Sequence, residues 1–140
     1  MPEESSTPDL IDVLRRLDEA MNRGDIDAVM AFYAPDAVWD MSEGGLGAFE
    51  GVAAIRTFFG EWASNYEEIA FDTREIRYLG GGVSLSVVDQ RARPRGSKGQ
   101  VAFRFAAVTV WAEGLILRST GYNDIEEARA AAERLAEERG

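Results

Sequence analysis

Met21-Asn-Arg-Gly-Asp-Ile-Asp-Ala-Val-Met-Ala-Phe-Tyr-Ala-Pro-Asp36, followed at once by Ala37-Val-Trp-Asp40, is the stretch on which the fold turns. Gly24 stops one helix, Asp25 is placed to cap a short second one, Pro35-Asp36 closes it, and residues 37–41 open a strand. Upstream, Leu10, Ile11, Val13, Leu14, Leu17 and Met21 recur at helical spacing, with Arg15, Arg16 and Glu19 opposite. Thr7-Pro8-Asp9 supplies an N-cap, a proline at the first helical position and an early acid, so the first helix runs from there to Gly24. Residues 1–7 read as a polar, disordered start. Within the second helix Ile26, Val29, Met30 and Tyr33 make the inner stripe.

Downstream, residues 42–51 read as a glycine-rich loop and 52–65 as a third helix with Ile55, Phe58, Phe59 and Trp62 inward. After Tyr66 the pattern changes to strands at 69–79, 83–92, 101–112 and 115–122. Gly80-Gly-Gly82, residues 93–99 and Glu113-Gly114 join them, and long strands on short turns make an antiparallel meander. Asp124 and Glu127 have capping-box spacing ahead of an alanine-rich helix over 125–138. Three helices followed by a meander is an α+β fold, a curved antiparallel sheet wrapped around the helices. It forms one domain over 8–140, with a C-terminal helix added.

At 140 residues the chain is long enough for a core that buries roughly 70 % of its unfolded surface. It has no cysteine and no histidine, which excludes disulfides, thiol nucleophiles, thiolate or imidazole metal sites and any imidazole base. The chemistry left runs on carboxylates, Arg, Lys, Tyr, hydroxyls and water. A net charge of −10 repels nucleic acid and anionic lipid. No apolar run approaches the roughly 18 residues of a membrane span, and the start lacks a basic region before an apolar one, so a cytoplasmic protein is expected. Gly44-Gly-Leu-Gly47 would need a third dinucleotide-binding glycine where Glu50 stands, and Gly96-Ser-Lys-Gly99 does not match a phosphate loop. No cofactor and no metal is expected.

With these elements in order, the chain resembles the nuclear transport factor two-like superfamily, in its SnoaL-like branch that includes ketosteroid isomerase-like proteins. The resemblance is carried by Asn22-Arg-Gly-Asp25, Phe32-Tyr-Ala-Pro-Asp-Ala-Val-Trp39, Phe49-Glu-Gly51 leading into Ile55-Arg-Thr-Phe-Phe59, and the closing hairpin at Glu113-Gly114. It implies a cone with a deep, mostly apolar pocket for a small apolar or aromatic molecule, and a homodimer made through the sheet. It also implies where ketosteroid isomerase donors would stand, at Leu17 and Ala106, neither of which can donate. The base position falls on Met41, one residue after Asp40, and one step along a strand turns a side chain to the other face unless a bulge intervenes. Tyr33 matches a pocket tyrosine of that family.

Asp40 is the expected base or polar anchor, since a carboxylate at a strand end beside an apolar cavity has its pKa raised; the alternative is a strand-end acid bonded to the following loop. Arg104 stands among apolar neighbours, and the resemblance turns its face inward to pair with Asp40, Asp89 or a ligand anion; with the other parity it is an exposed sheet arginine. Tyr33, Trp39, Phe59 and Trp62 are the expected apolar and aromatic lining, and Ser119 and Asn123 the expected hydrogen-bonding contacts on the last strand. Gly121 marks a bend or a close backbone approach there. Arg91, Arg93, Arg95 and Lys98 read as a solvated basic turn. Three functions fit: cofactor-free proton transfer by Asp40 with Arg104 at the developing anion, epoxide hydrolysis by Asp40, Arg104 and Asp89 around one water, or a non-catalytic binding or dimerisation module.

Overall fold

Helix α1 (Thr7–Arg23) buries Leu10, Leu14, Leu17 and Ala20. The computed structural model describes residues 7–139, so residues 1–6 of the expected polar start lie outside them, as does the capping side chain of Thr7, itself already helical. Gly24 ends α1 with a φ of 71°, and Asp25 accepts from the Ala28 N–H at 3.1 Å to cap α2 (Ile26–Met30). Helix α2 is shorter than expected, and Tyr33 is the first residue of β1 (Tyr33–Asp40) rather than the last of the helical stripe. Pro35 is the reason. It has no N–H to give a helix and biases Ala34 to extended backbone, so the chain leaves α2 early.

A short 3-10 turn (Ser42–Gly44) leads into β2 (Ala48–Glu50), a strand inside the expected glycine-rich loop. It forms because Trp39 pairs across the ladder with Phe49, their ring centroids 6.0 Å apart. Helix α3 (Val52–Ala63) then buries Ile55 and Phe59. Next come β3 (Tyr66–Gly80), β4 (Val83–Pro94), β5 (Val101–Ala112), β6 (Leu115–Tyr122) and α4 (Ile125–Arg139). The six strands make one sheet in the order β2-β1-β6-β5-β4-β3, antiparallel except for β1 on β6. This is the α+β cone expected: α1 and α3 fill the concave face, and the meander makes the wall.

Two details set which side chains face inward. Leu117 has no cross-strand partner, since Val110 pairs with Arg118 and Trp111 with Ile116; the bulge lets both Ile116 and Ser119 turn to the concave side. Gly82 has a φ of +77°, and a Cβ there would lie 2.7 Å from the Trp111 carbonyl oxygen, so only glycine closes the β3–β4 turn against β5.

The outer face is not bare. Val83, Leu85, Val87, Ala106 and Val108 form a second core with Ala128 and Ala132 of α4. Arg129 fixes the helix with two bonds to Glu75, of 2.8 and 2.9 Å. This apolar stretch of the outer sheet face is therefore covered by the chain's own helix.

Candidate functional site

The concave face encloses a cavity of about 320 Å³ between the sheet, α1 and α3. Period-two alternation decides what lines it: Ser86, Val88 and Gln90 from β4, then Phe103, Phe105, Ala107, Thr109 and Trp111 from β5. Beta-strand β6 adds Ser119 and Gly121, with Asn123 just beyond it. One wall is aromatic, with the Trp39 ring centroid 4.6 Å from Phe59 and 5.1 Å from Phe58. Tyr33, Trp39, Phe59, Trp62, Ser119 and Asn123, all six of the expected contact residues, line this cavity. Thr109 and Ser119 share a hydrogen bond of 3.3 Å, and the Trp111 indole donates to Ser84 at 2.9 Å.

Asp40 and Arg104, expected as the catalytic pair, are not there. In β1 Trp39 and Met41 point into the cone and Asp40 between them points out. On the outer side it accepts from Arg118 Nη2 at 2.6 Å, from the Ser42 N–H at 3.0 Å and from the Ser42 hydroxyl at 2.6 Å. Those bonds, the Ser42 pair first and then the Arg118 charge, hold its carboxyl below the usual carboxylate range instead of raising it. It is a strand-end acid tied to the following turn.

Arg104 shares the outer face with Ala106 and Val108. Its Nε donates to Asp89 Oδ1 at 2.6 Å and its Nη2 to Oδ2 at 3.2 Å, with the arginine side chain 53 % exposed. Asp89 is its direct partner across the β4–β5 ladder. The Arg104 bond, with the charges of Arg104, Arg74 and Arg91, pulls the Asp89 carboxyl down. The triad considered for epoxide opening is thus split. Asp40 lies beside Thr120, which pairs with Val108, four residues along β5 from Arg104, and none of the three acid or base groups lines the cavity.

Asp18 and Gln90, neither among the expected site residues, add polarity inside. Asp18 of α1 lines the cavity and accepts from the Thr73 hydroxyl. Burial raises its pKa, and the Thr73 bond opposes this only in part. Its spacing carried the signal: four residues after Leu14 and three before Met21, it sits on the apolar stripe. Gln90 is 4 % exposed, and its Nε2 has no acceptor among the described residues. Met41 takes the place where the resemblance put a base, its Sδ 2.6 Å from where a Cβ on Gly121 would stand. What crowds Gly121 is therefore the Met41 side chain and not the close backbone approach expected there. The donor position placed at Ala106 faces outward, and the cavity positions beside it are Phe105 and Ala107, which also cannot donate.

Residues 14–119 match the SnoaL-like domain. The chain belongs to the SnoaL-like domain family. Solved structures place this SnoaL-like domain in the same fold. TerC co-crystallised with polyporic acid superposes with a TM-score of 0.72 at 18 % identity, over 89 % of this chain and 98 % of TerC. An LEH-like epoxide hydrolase of M. tuberculosis gives 0.71 at 18 % identity, over 91 % and 92 % of the two chains. A candidate polyketide cyclase from Xanthomonas campestris pv. campestris gives 0.64 at 25 % identity, over 84 % and 92 %. No curated protein matches the SnoaL-like chain by sequence.

Proposed function

We propose that this SnoaL-like domain takes a small, largely apolar ring compound into the cone and moves a proton on it without a cofactor, with Asp18 as the acid–base group. One observation carries the reading: among the described residues Asp18 is the one carboxylate lining the cavity, with no Lys or Arg beside it, and burial biases this carboxyl toward its neutral form. A carboxyl desolvated in this way exchanges protons closer to neutral pH than an exposed one does. The Tyr33 hydroxyl, pushed up by burial, stays protonated and offers a donor. The cavity volume, about 320 Å³, falls within the range of small-molecule sites, ~300–1,000 Å³.

The company the fold keeps supports a small organic ligand: one neighbour was crystallised with polyporic acid, and others carry the names epoxide hydrolase and polyketide cyclase. The cavity is complete within one chain, so the reading needs no second copy. Among the described residues no helix is long and apolar enough to cross a membrane, and the net charge of −10 disfavours nucleic acid; we assign the activity to the cytoplasm.

Titrating the tryptophan fluorescence with ring ketones, phenols and epoxides, and assaying each binder for turnover, tests this. Asp18→Asn is expected to keep binding within a few fold and to lose turnover by about 100-fold or more. Binding by the wild type with no turnover across the panel would make the domain a carrier; unchanged turnover in the variant would remove Asp18 from the chemistry.

A further inference from the structure

Gln90 sits in the middle of a row of three side chains that crosses the concave face. Its ladder partner on β3 is Phe71 and on β5 is Phe103, and all three line the cavity. The Phe71 N–H and C=O do not bond to β4. Asn22 takes both, accepting from the Phe71 N–H at 2.8 Å and donating to its carbonyl at 3.1 Å. Phe71 and Gln90 are therefore a non-hydrogen-bonded pair, the kind in which side chains stand closest. An amide donor held there without an acceptor is destabilising, which a valine or leucine at the same position would not be.

We propose that the Gln90 side-chain amide donates to an oxygen acceptor, a carbonyl or phenolate, on a ring compound lying between Phe71 and Phe103. Gln90 is thereby a positioning residue that decides which edge of the ligand meets Asp18. The proposal rests on the ring-compound reading of the cavity and adds the ligand's functional group and its orientation. The orientation follows from register. Asp18 is bonded to Thr73, whose ladder partner Val88 is two residues from Gln90, a separation of roughly 7 Å along the strand. An oxygen on Gln90 therefore leaves the carbons about one ring away within reach of the Asp18 carboxyl.

The three tryptophans, Trp39, Trp62 and Trp111, all line the cavity, so their fluorescence reports occupancy directly. The probes are 1-tetralone and tetralin, which differ in one carbonyl. Wild-type protein is expected to bind the ketone about three- to tenfold more tightly, the worth of one hydrogen bond. Gln90→Leu is expected to erase that ratio while leaving tetralin affinity unchanged or better; Gln90→Met, closer in length, replaces it where the leucine variant does not fold. Equal binding of the two probes by the wild type, or a ratio that survives in the variant, would overturn the role of Gln90 and leave the ring-binding cavity standing. Binding of neither probe would overturn both.

Discussion

Asp40 Oδ2 and Arg118 Nη2 meet at 2.6 Å on the outside of the sheet, between β1 and β6, the two strands that run parallel. The pair lies behind Trp39, not beside it in the cavity. Its energetic signature is therefore that of a structural contact. Because folding lowers the Asp40 pKa, the stabilisation is present above the ordinary carboxylate value and disappears as pH falls through the folded one. Asp40→Asn should lower stability at pH 7 by about 1 kcal/mol, modest because half of the Arg118 side chain is in water. The gap to wild type should narrow in denaturant titrations as pH falls below the ordinary carboxylate value and close only below the lowered folded one.

Arg104→Ala removes a cross-strand pair with Asp89 that solvent already screens. The thermal midpoint should move by no more than about 2 °C, and ligand affinity and turnover should match wild type. A tenfold loss of turnover in this variant would mean that the outer face takes part in the chemistry.

Asp18 has the opposite sign to Asp40. Its folded pKa is raised, so the folded state is favoured most when the carboxyl is protonated and loses stability as pH climbs through the folded value. Asp18→Asn keeps an acceptor for the Thr73 hydroxyl and removes the titration. At pH 8 the variant should be more stable than wild type by about 0.5–2 kcal/mol, with the difference shrinking toward pH 4. Differential scanning calorimetry across that range reads it; a destabilised variant at pH 8 would show that the charged carboxylate has a partner in solution.

Ending the chain at Asp124 strips α4 from the sheet and exposes Val83, Leu85, Val87, Ala106 and Val108 together. A contiguous apolar patch of that kind drives association. Light scattering should find dimers or larger species for the truncated chain, and a monodisperse truncated monomer with full stability would show that α4 is dispensable cover.

The order of elements was legible in large part because after Tyr66 the apolar period turns to alternation and stays so through four consecutive strands. The bounds of β5 and β6 follow from Glu113-Gly114, read as a two-residue turn and found with φ values of 55° and 81°. Strand β2 was not legible, since three residues pair only because Trp39 is there to meet Phe49. The facing of Arg104 was not legible either. Strand β5 is apolar on both sides because the cavity covers one and α4 the other, so alternation alone named no inside. Asp40 was misread for a related reason: the bond to Ser42 and the arginine that meets it belong to the turn and to β6, 78 residues on. Asp18 was visible in the helical spacing of α1, on the same stripe as Leu14 and Met21.

Gly121 and Met41 make the size of the cavity an adjustable quantity. The methionine's flexible end occupies the spot a single methyl on residue 121 would claim. Gly121 needs no unusual backbone angle, so alanine there would strain no main chain. It would push the thioether into the hollow and shorten it. The length of the hollow can thus be retuned by one carbon atom, with the wall at Asp18 left as it was.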